Sequence, residues 1–374
     1  MVELTVEEAR EYLVGQCGLR AVVHPTGVEG VRSLLRRRRC IQLDPLDRIG
    51  TNADLVAWAR LDGVGKGDVY RHAMPGHGFE HFAKERCLLP ASAFPAYRDQ
   101  AAQTPWWRLS ERMRRVPEGV MEAVLEQVAA DGPMTAAALG DHGQVDPLDW
   151  HGWKSTSRAA KMALDVLWTR CQVVVCGRTA SGAKLYDVPQ RALPEAAQAA
   201  APEDFFRWGT LERVEACGLL PDVTGPWWSM LKAARPRVDG WVAEGLVERV
   251  TVQGSRRSYF APLGFRDRVF PDDDGRMRIL GPLDPLLWSR PLVQHLFGFE
   301  YLWEVYKPAA KRRWGYYVCP LLHRGQLVGR FEGRVHGGEV VVERLWKEDG
   351  IVFDDAAFQA ALARHARCAL PTES

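Results

Sequence analysis

The stretch "SRAAKMALDVLWTRCQVVVCGRTASGAKLYDV", residues 157–188, decides the fold. Its first half is helical: Ala160, Leu164, Leu167 and Trp168 recur at the three- and four-residue spacing that lines one face of a helix. Its second half changes period, since "CQVVVCGR" and "KLYDV" are rich in β-branched residues and a Gly-containing turn joins them as a hairpin. Upstream, Pro117 opens a helix with Val120, Met121, Val124, Leu125 and Val128 on one face, ended by "DGP", and "MTAAALGDH" predicts a short helix from Thr135. Three helices followed by a hairpin is the order of a winged helix, and the third helix carries Arg158, Lys161 and Arg170.

The same order returns downstream. "FFRWGTLERVEACGLL" and "PWWSMLKAA" lead to a helix around "VDGWVAEG", then a strand "LVERVTVQ", a turn "GSRR" and a strand "SYFAP". Arg256 and Arg257 sit in that turn, where a wing meets phosphate. The Ala- and Pro-rich linker "PQRALPEAAQAAAPED" separates the copies, which are placed at residues 116–190 and 200–263. From about residue 264 the pattern becomes predominantly β. "YLWEVYKP", "RRWGYYVCPLLH", "QLVGRFEGRV" and "EVVVERLW" read as strands with "RG" and "GG" at two turns, followed by the helix "DDAAFQAALARHARCAL". The fold class expected is α+β: tandem winged-helix units and a small C-terminal β-barrel over residues 264–374.

Residues 1–115 read as short helices. "TVEE" from Thr5 and "TGVE" from Thr26 match the capping box, and Val28, Val31, Leu34 and Leu35 stripe a helix that runs toward four arginines, Arg36 to Arg39. Beyond them, in "CIQLDPLDRIG", Ile41 and Leu43 alternate with Gln42 and Asp44, and Pro45 biases Asp44 toward an extended backbone. An extended chain projects residues two apart from the same side, so Gln42 and Asp44 form one polar site. Asp before Pro is also a common turn starter, and the residues alone leave that reading open beside a catalytic one. A further helix begins at Asn52.

Composition narrows the function classes. With 374 residues, 47% hydrophobic and 26% charged, the chain folds into two or more domains. The net charge is only +2, yet residues 307–330 hold six Lys or Arg and no Asp or Glu, with Trp314, Tyr316 and Tyr317 interleaved. Cations neutralise phosphates and aromatics stack on exposed bases, although the same aromatics serve equally well as barrel core. Eight scattered cysteines form no metal-binding spacing, His77, His81, His323 and His336 lack ligand spacing, and phosphate-loop, nucleophile-elbow and zinc-hydrolase motifs are absent. No metal or cofactor is expected. Reduced thiols, an acidic N-terminus unlike a signal peptide and the lack of an apolar run of ~18 residues point to a cytoplasmic protein.

The segments "IQLDPLDRIGTNADLVAWARLDG" and "LGPLDPLLWSRPLVQHLFGFEYLWEVYKPAAKRRWGYYVCPLLHRGQLVGR", with the paired winged helices, resemble the YcaQ/AlkX and AlkZ family of bacterial DNA glycosylases over essentially the whole chain. The resemblance implies three tandem winged-helix units, the first within residues 1–115, and a C-terminal β-barrel around a DNA channel. It implies removal of N7-alkylated guanine from double-stranded DNA, including N7-guanine interstrand crosslinks, by a monomer. The family's Gln-x-Asp or Gln-x-Gln catalytic motif falls on Gln42 and Asp44, and the Asp form is associated with the branch of broader substrate range. Candidate DNA contacts are Lys84, Lys154, Arg158, Lys161, Arg256, Arg257, Lys311, Arg312, Arg313 and His323. Two departures bear on substrate: in "HFAKERCLLP" Lys84 stands where the family has His, and "HGWKSTSR" keeps Trp153 and Lys154 without the family's following Pro. The rival readings are a glycosylase devoted to self-resistance against one DNA-alkylating natural product, and a winged-helix DNA-binding regulator without activity.

Overall fold

In a computed structural model of the protein, which describes residues 2–22, 25–101, 109–148 and 156–370, α and β elements are mixed and the chain divides into two units. One unit holds Met1–Val69, Ala83–Cys87 and Phe206–Ser374, and the other holds Tyr70–Phe82 and Leu88–Phe205.

The second unit contains the stretch that opened the sequence reading. Helix Ala159–Thr169 buries Ala160, Leu164, Leu167 and Trp168, as their spacing predicts. Strands Val174–Arg178 and Lys184–Asp187 pair antiparallel, and Met134–Thr135 adds a third strand along Lys184–Asp187. Helix Val120–Asp131 buries Val120, Val124 and Val128. "MTAAALGDH" forms only one 3-10 turn, Ala136–Ala138. The reason is side-chain competition for its backbone: the Arg158 guanidinium takes the carbonyls of Ala136, Leu139 and Gly140, while Gln127 accepts from the Gly140 N–H at 3.0 Å. Beneath the hairpin the buried Glu80 accepts from both Arg178 and Lys184, and their charges hold its carboxyl below the usual range against the opposing effect of burial.

In the first unit, Thr5 and Glu8 form the reciprocal capping box that opens helix Val6–Gln16. Thr26 occupies the N-cap of helix Gly27–Arg38 but makes no side-chain cap bond, and Glu29, the residue expected to complete the box, pairs with Arg36 at 2.6 Å. Helix Asn52–Trp58 starts as expected, with a box of its own between Thr51 and Asp54. The other helix-then-hairpin copy is present as helices Phe205–Cys217 and Val238–Ala243, two intervening 3-10 turns, and strands Val247–Val252 and Ser258–Pro262. Its sheet gains a strand that sequence reading missed: Val2–Leu4 lies parallel to Val247–Val252, with Val2 opposite Val250.

The C-terminal region departs from the expected barrel. Among the described residues it is an open antiparallel sheet of four strands in the order Arg278–Ile279, Val318–His323, Gln326–His336 and Glu339–Lys347, covered by helix Asp355–Ala369. Arg324–Gly325 and Gly337–Gly338 make the two hairpin turns that the sequence marked. "YLWEVYKP" is not a strand. Its Glu304 is buried and accepts from the Lys307 ammonium at 2.8 Å and the Trp314 N–H at 2.8 Å, so the segment closes into a turn instead of offering a ladder edge. The following backbone bonds a side chain as well: Glu332 accepts from the N–H groups of Tyr316 and Tyr317. That approach needs Gly315, where a Cβ would lie 2.3 Å from the Glu332 carboxylate.

The core of the first unit gathers Leu13, Leu19, Leu280, Leu286, Val293 and Phe299 around helix Val6–Gln16. Within the unit an ion pair is fully buried: Arg60 donates to the two carboxylate oxygens of Asp284 at 2.7 and 2.9 Å, both side chains being 0% exposed. All eight cysteines are free, and seven are buried. No helix among the described residues is long and apolar enough to cross a membrane.

Removing one partner leaves the other charged and dry. Asp284→Ala or Arg60→Leu is expected to lower unfolding free energy by about 3–5 kcal/mol, measured by urea denaturation. A loss below about 1 kcal/mol, the value of a surface pair, contradicts the structural role given to it.

Candidate functional site

The site begins where helix Gly27–Arg38 ends. Arg39 takes a left-handed conformation, φ 62°, while its N–H still donates to the Leu35 carbonyl at 3.0 Å. That turn sends the chain into strand Ile41–Gln42, and the Leu43 N–H then donates to the Arg86 carbonyl at 2.8 Å. The Gln42 carbonyl accepts from Asn52 Nδ2 at 2.8 Å, and the fully buried Asn52 accepts in turn from the Leu283 N–H at 3.3 Å. Gly281 permits this, because a Cβ there would stand 2.7 Å from Asn52 Oδ1. The Gln42 side chain is held from another direction: its Oε1 accepts from Lys84 Nζ at 3.0 Å. Lys84 reaches it from the turn after strand Gly78–Phe82, with its Nζ also 5.5 Å from the centre of the Trp288 ring.

Asp44 is half-buried. Its Oδ1 accepts from the Leu46 N–H at 2.9 Å across Pro45, so the turn chemistry open in the sequence is realised. Turn and site are compatible, since the turn employs one oxygen and Oδ2 has no hydrogen-bond partner among the described residues. Burial pushes the Asp44 carboxyl above its ordinary value, with the Leu46 N–H pulling the other way. The buried Tyr317 phenol is pushed well up, first by its own burial, then by Cys319 and Tyr301, and further by the Asp44 and Asp47 carboxylates. Tyr317 therefore stays a neutral hydroxyl within the field of Asp44, a placement that its aromatic neighbours in the sequence did not reveal.

The C-terminal region holds the loop after Asp44. The Val335 N–H donates to the Arg48 carbonyl at 3.1 Å, Arg48 pairs with Glu343 at 3.4 Å, and His365 bonds the Ile49 carbonyl. Burial lowers the His365 imidazole to about 4, so it is neutral and can donate there.

The remaining candidates are dispersed. Arg36 is paired with Glu29 and Arg39 with Glu212, Arg38 is buried with its proton affinity lowered by that burial, and Arg37 is exposed. Arg158 is spent on backbone carbonyls, whereas Lys161 and Arg256 are exposed and Arg257 partly so. Lys311 is exposed, Arg312 lies over Tyr316, and Arg313 pairs with Glu300 while lying over Trp314. His323 is buried, with Nε2 bonded to the Gly275 carbonyl at 3.1 Å. Lys154 and Trp153 lie outside the described residues. A cavity of about 640 Å³ beside Asp62, Arg276 and Arg364 is lined by neither Gln42 nor Asp44, and both arginines already pair with Asp62.

Residues 35–368 match the family described as DNA glycosylase AlkZ-like. Among solved structures the chain is similar to Streptomyces sahachiroi DNA glycosylase AlkZ, at 15% identity and a TM-score of 0.62, over 98% of this chain and 97% of that one; at this identity the likeness speaks for the fold. The matched region contains Gln42, Asp44, Asn52, Arg60, Lys84 and Asp284. The chain belongs to the AlkZ-like DNA glycosylase family and is a DNA N-glycosylase.

Proposed function

We propose that the protein is a monofunctional glycosylase that hydrolyses the N-glycosidic bond of N7-alkylguanine in double-stranded DNA, including N7-guanine interstrand crosslinks, with Gln42 and Asp44 as its reacting residues. The observation that carries this reading is a half-buried carboxylate with one oxygen fixed by Leu46 and the other unpartnered among the described residues, two positions from a buried amide. Family membership sets aside the regulator without activity.

The chemistry follows from the substrate's charge. Alkylation at N7 makes the guanine cationic, so the base departs with the glycosidic electron pair as a neutral molecule and needs no strong acid. What needs help is the sugar, which becomes oxocarbenium-like. The Asp44 carboxylate stabilises that positive charge and takes a proton as water forms the new bond to C1′, leaving an abasic site and free base. Gln42 offers amide N–H donors to that water or to a sugar oxygen. Asp44 rather than a glutamine favours the branch of wider substrate range over dedicated self-resistance. A crosslinked guanine is tethered to both strands and cannot swing freely out of the helix, so an open approach suits it better than a closed base-flipping pocket.

Base release from duplex DNA containing one N7-methylguanine, scored as alkali-labile sites, tests this directly. Asp44→Asn is expected to lower the single-turnover rate by about 10²–10⁴-fold with DNA binding retained. Equal rates for wild type and variant reject Asp44 as the reacting group. Because burial raises the Asp44 carboxyl and the ionised form reacts, the rate should fall on acidification with a midpoint above the ordinary aspartate value of about 3.9. That acid limb should disappear in Asp44→Asn. For DNA contact, Arg256→Ala and Lys311→Ala should each weaken binding and reduce the salt slope by about 1, while Arg158→Ala should reduce stability instead. An unchanged slope assigns those exposed cations to solvent.

A further inference from the structure

Lys84 and Gln42 are an unusual pair for an active-site wall. Both are buried, at 8% and 7% exposure, and the ammonium donates to the amide oxygen at 3.0 Å. The lysine also lies over the ring of Trp288, whose indole N–H is fixed to the Leu283 carbonyl at 3.0 Å. So little exposure makes Lys84 a poor phosphate contact. A glutamine amide is nearly symmetric in shape, and a 180° turn about its last bond exchanges its acceptor for its donors. A protonated lysine breaks that symmetry, because it can only donate and repels the NH₂ end. With Oε1 engaged by Lys84, Nε2 has no hydrogen-bond partner among the described residues.

We propose that Lys84 is a positioning residue: it fixes the Gln42 amide so that the donor end, and not the acceptor end, is presented to the reacting nucleotide and its water. The proposal rests on the reading that Gln42 belongs to the reacting site. A donor end there can bind a sugar or water oxygen, whereas the acceptor end could only accept a hydrogen bond from a hydroxyl or water O–H.

The experiment compares wild type, Lys84→Met, Lys84→Arg, Gln42→Ala and the Lys84→Met/Gln42→Ala double variant on N7-methylguanine duplex. Lys84→Met should slow single-turnover base release about tenfold, the scale of one charge-assisted hydrogen bond, with an unchanged dissociation constant for DNA. Lys84→Arg, which keeps a donor, should recover most of the rate. The double variant should be no slower than Gln42→Ala, because Lys84 acts through Gln42. Additive losses overturn the proposal. So does weaker DNA binding with a smaller salt slope, which makes Lys84 a phosphate contact, or a borohydride-trapped protein–DNA adduct that disappears in Lys84→Met, which makes it a nucleophile. Crystal structures of wild type and Lys84→Met supply a readout that needs no activity. The Gln42 side chain should leave its single rotamer when Lys84 is removed, and an unchanged rotamer overturns the proposal even if the protein releases no base. Absence of base release by the wild type counts instead against the N7-alkylguanine reading.

Discussion

The buried pair of Arg60 and Asp284 is the constraint on which the site depends. Two charges without solvent are costly to bury, and the cost is offset only when the remaining donors and acceptors are satisfied. Here they are: Arg60 also donates to the carbonyls of Cys17 and Val56, and Asp284 accepts from the Leu286 N–H as well. The network joins the end of helix Asn52–Trp58 to the segment Gly281–Trp288. From that segment the Leu283 N–H reaches Asn52, which binds the Gln42 carbonyl, and the Trp288 ring faces Lys84, which binds the Gln42 amide. Backbone and side chain of Gln42 are thus referred to one rigid segment, itself anchored by Asp284.

This arrangement shows why a segment about 240 residues downstream is needed beside the proposed reacting tripeptide. A short strand followed by Asp-Pro has few backbone bonds of its own; Leu43 supplies one ladder contact and Asp44 one turn. The unspent oxygen of Asp44 and the unspent nitrogen of Gln42 leave the tripeptide still less to hold itself with. Functional groups kept free for substrate cannot also stabilise their own loop, so the restraint comes from elsewhere. Arg48 and Ile49 receive theirs from Val335 and His365 in the same way.

The legible parts of the chain were those governed by local rules. Periodicity located helices Val120–Asp131 and Ala159–Thr169, the hairpins Val174–Asp187 and Val247–Pro262, and the two C-terminal turns, because helix faces and hairpins are set by near neighbours. The Gln42 and Asp44 spacing suggested one polar site, and resemblance to a family suggested its chemistry. The errors arose where side chains compete for backbone groups over long distances. Arg158 binds the backbone of "MTAAALGDH", Glu304 that of Trp314 and Glu332 that of Tyr316, and among the described residues the four C-terminal strands form an open sheet where a barrel was expected. The role of Asn52 was equally hidden, for in sequence it is merely the first residue of a helix.

Charge balance at the site follows from the same restraint. The proposed substrate is cationic and passes through a cationic transition state, which is poorly served by an ammonium, yet Lys84 lies one hydrogen bond from Gln42. Burial makes its protonated form less favourable than usual, and the Gln42 oxygen and the Trp288 face are what it is given in place of water. Burial raises the Asp44 carboxyl, and the Leu46 N–H opposes that rise. In the proposed reaction the positive charge acts at hydrogen-bonding range, on the amide. A neutral donor in place of Lys84 could orient Gln42 without opposing the substrate, but it would not reject the reversed amide as strongly. In the proposed reaction the lysine exchanges an electrostatic penalty at the sugar for a single orientation of the amide, and that exchange is favourable when the amide, and not the lysine, faces the reaction.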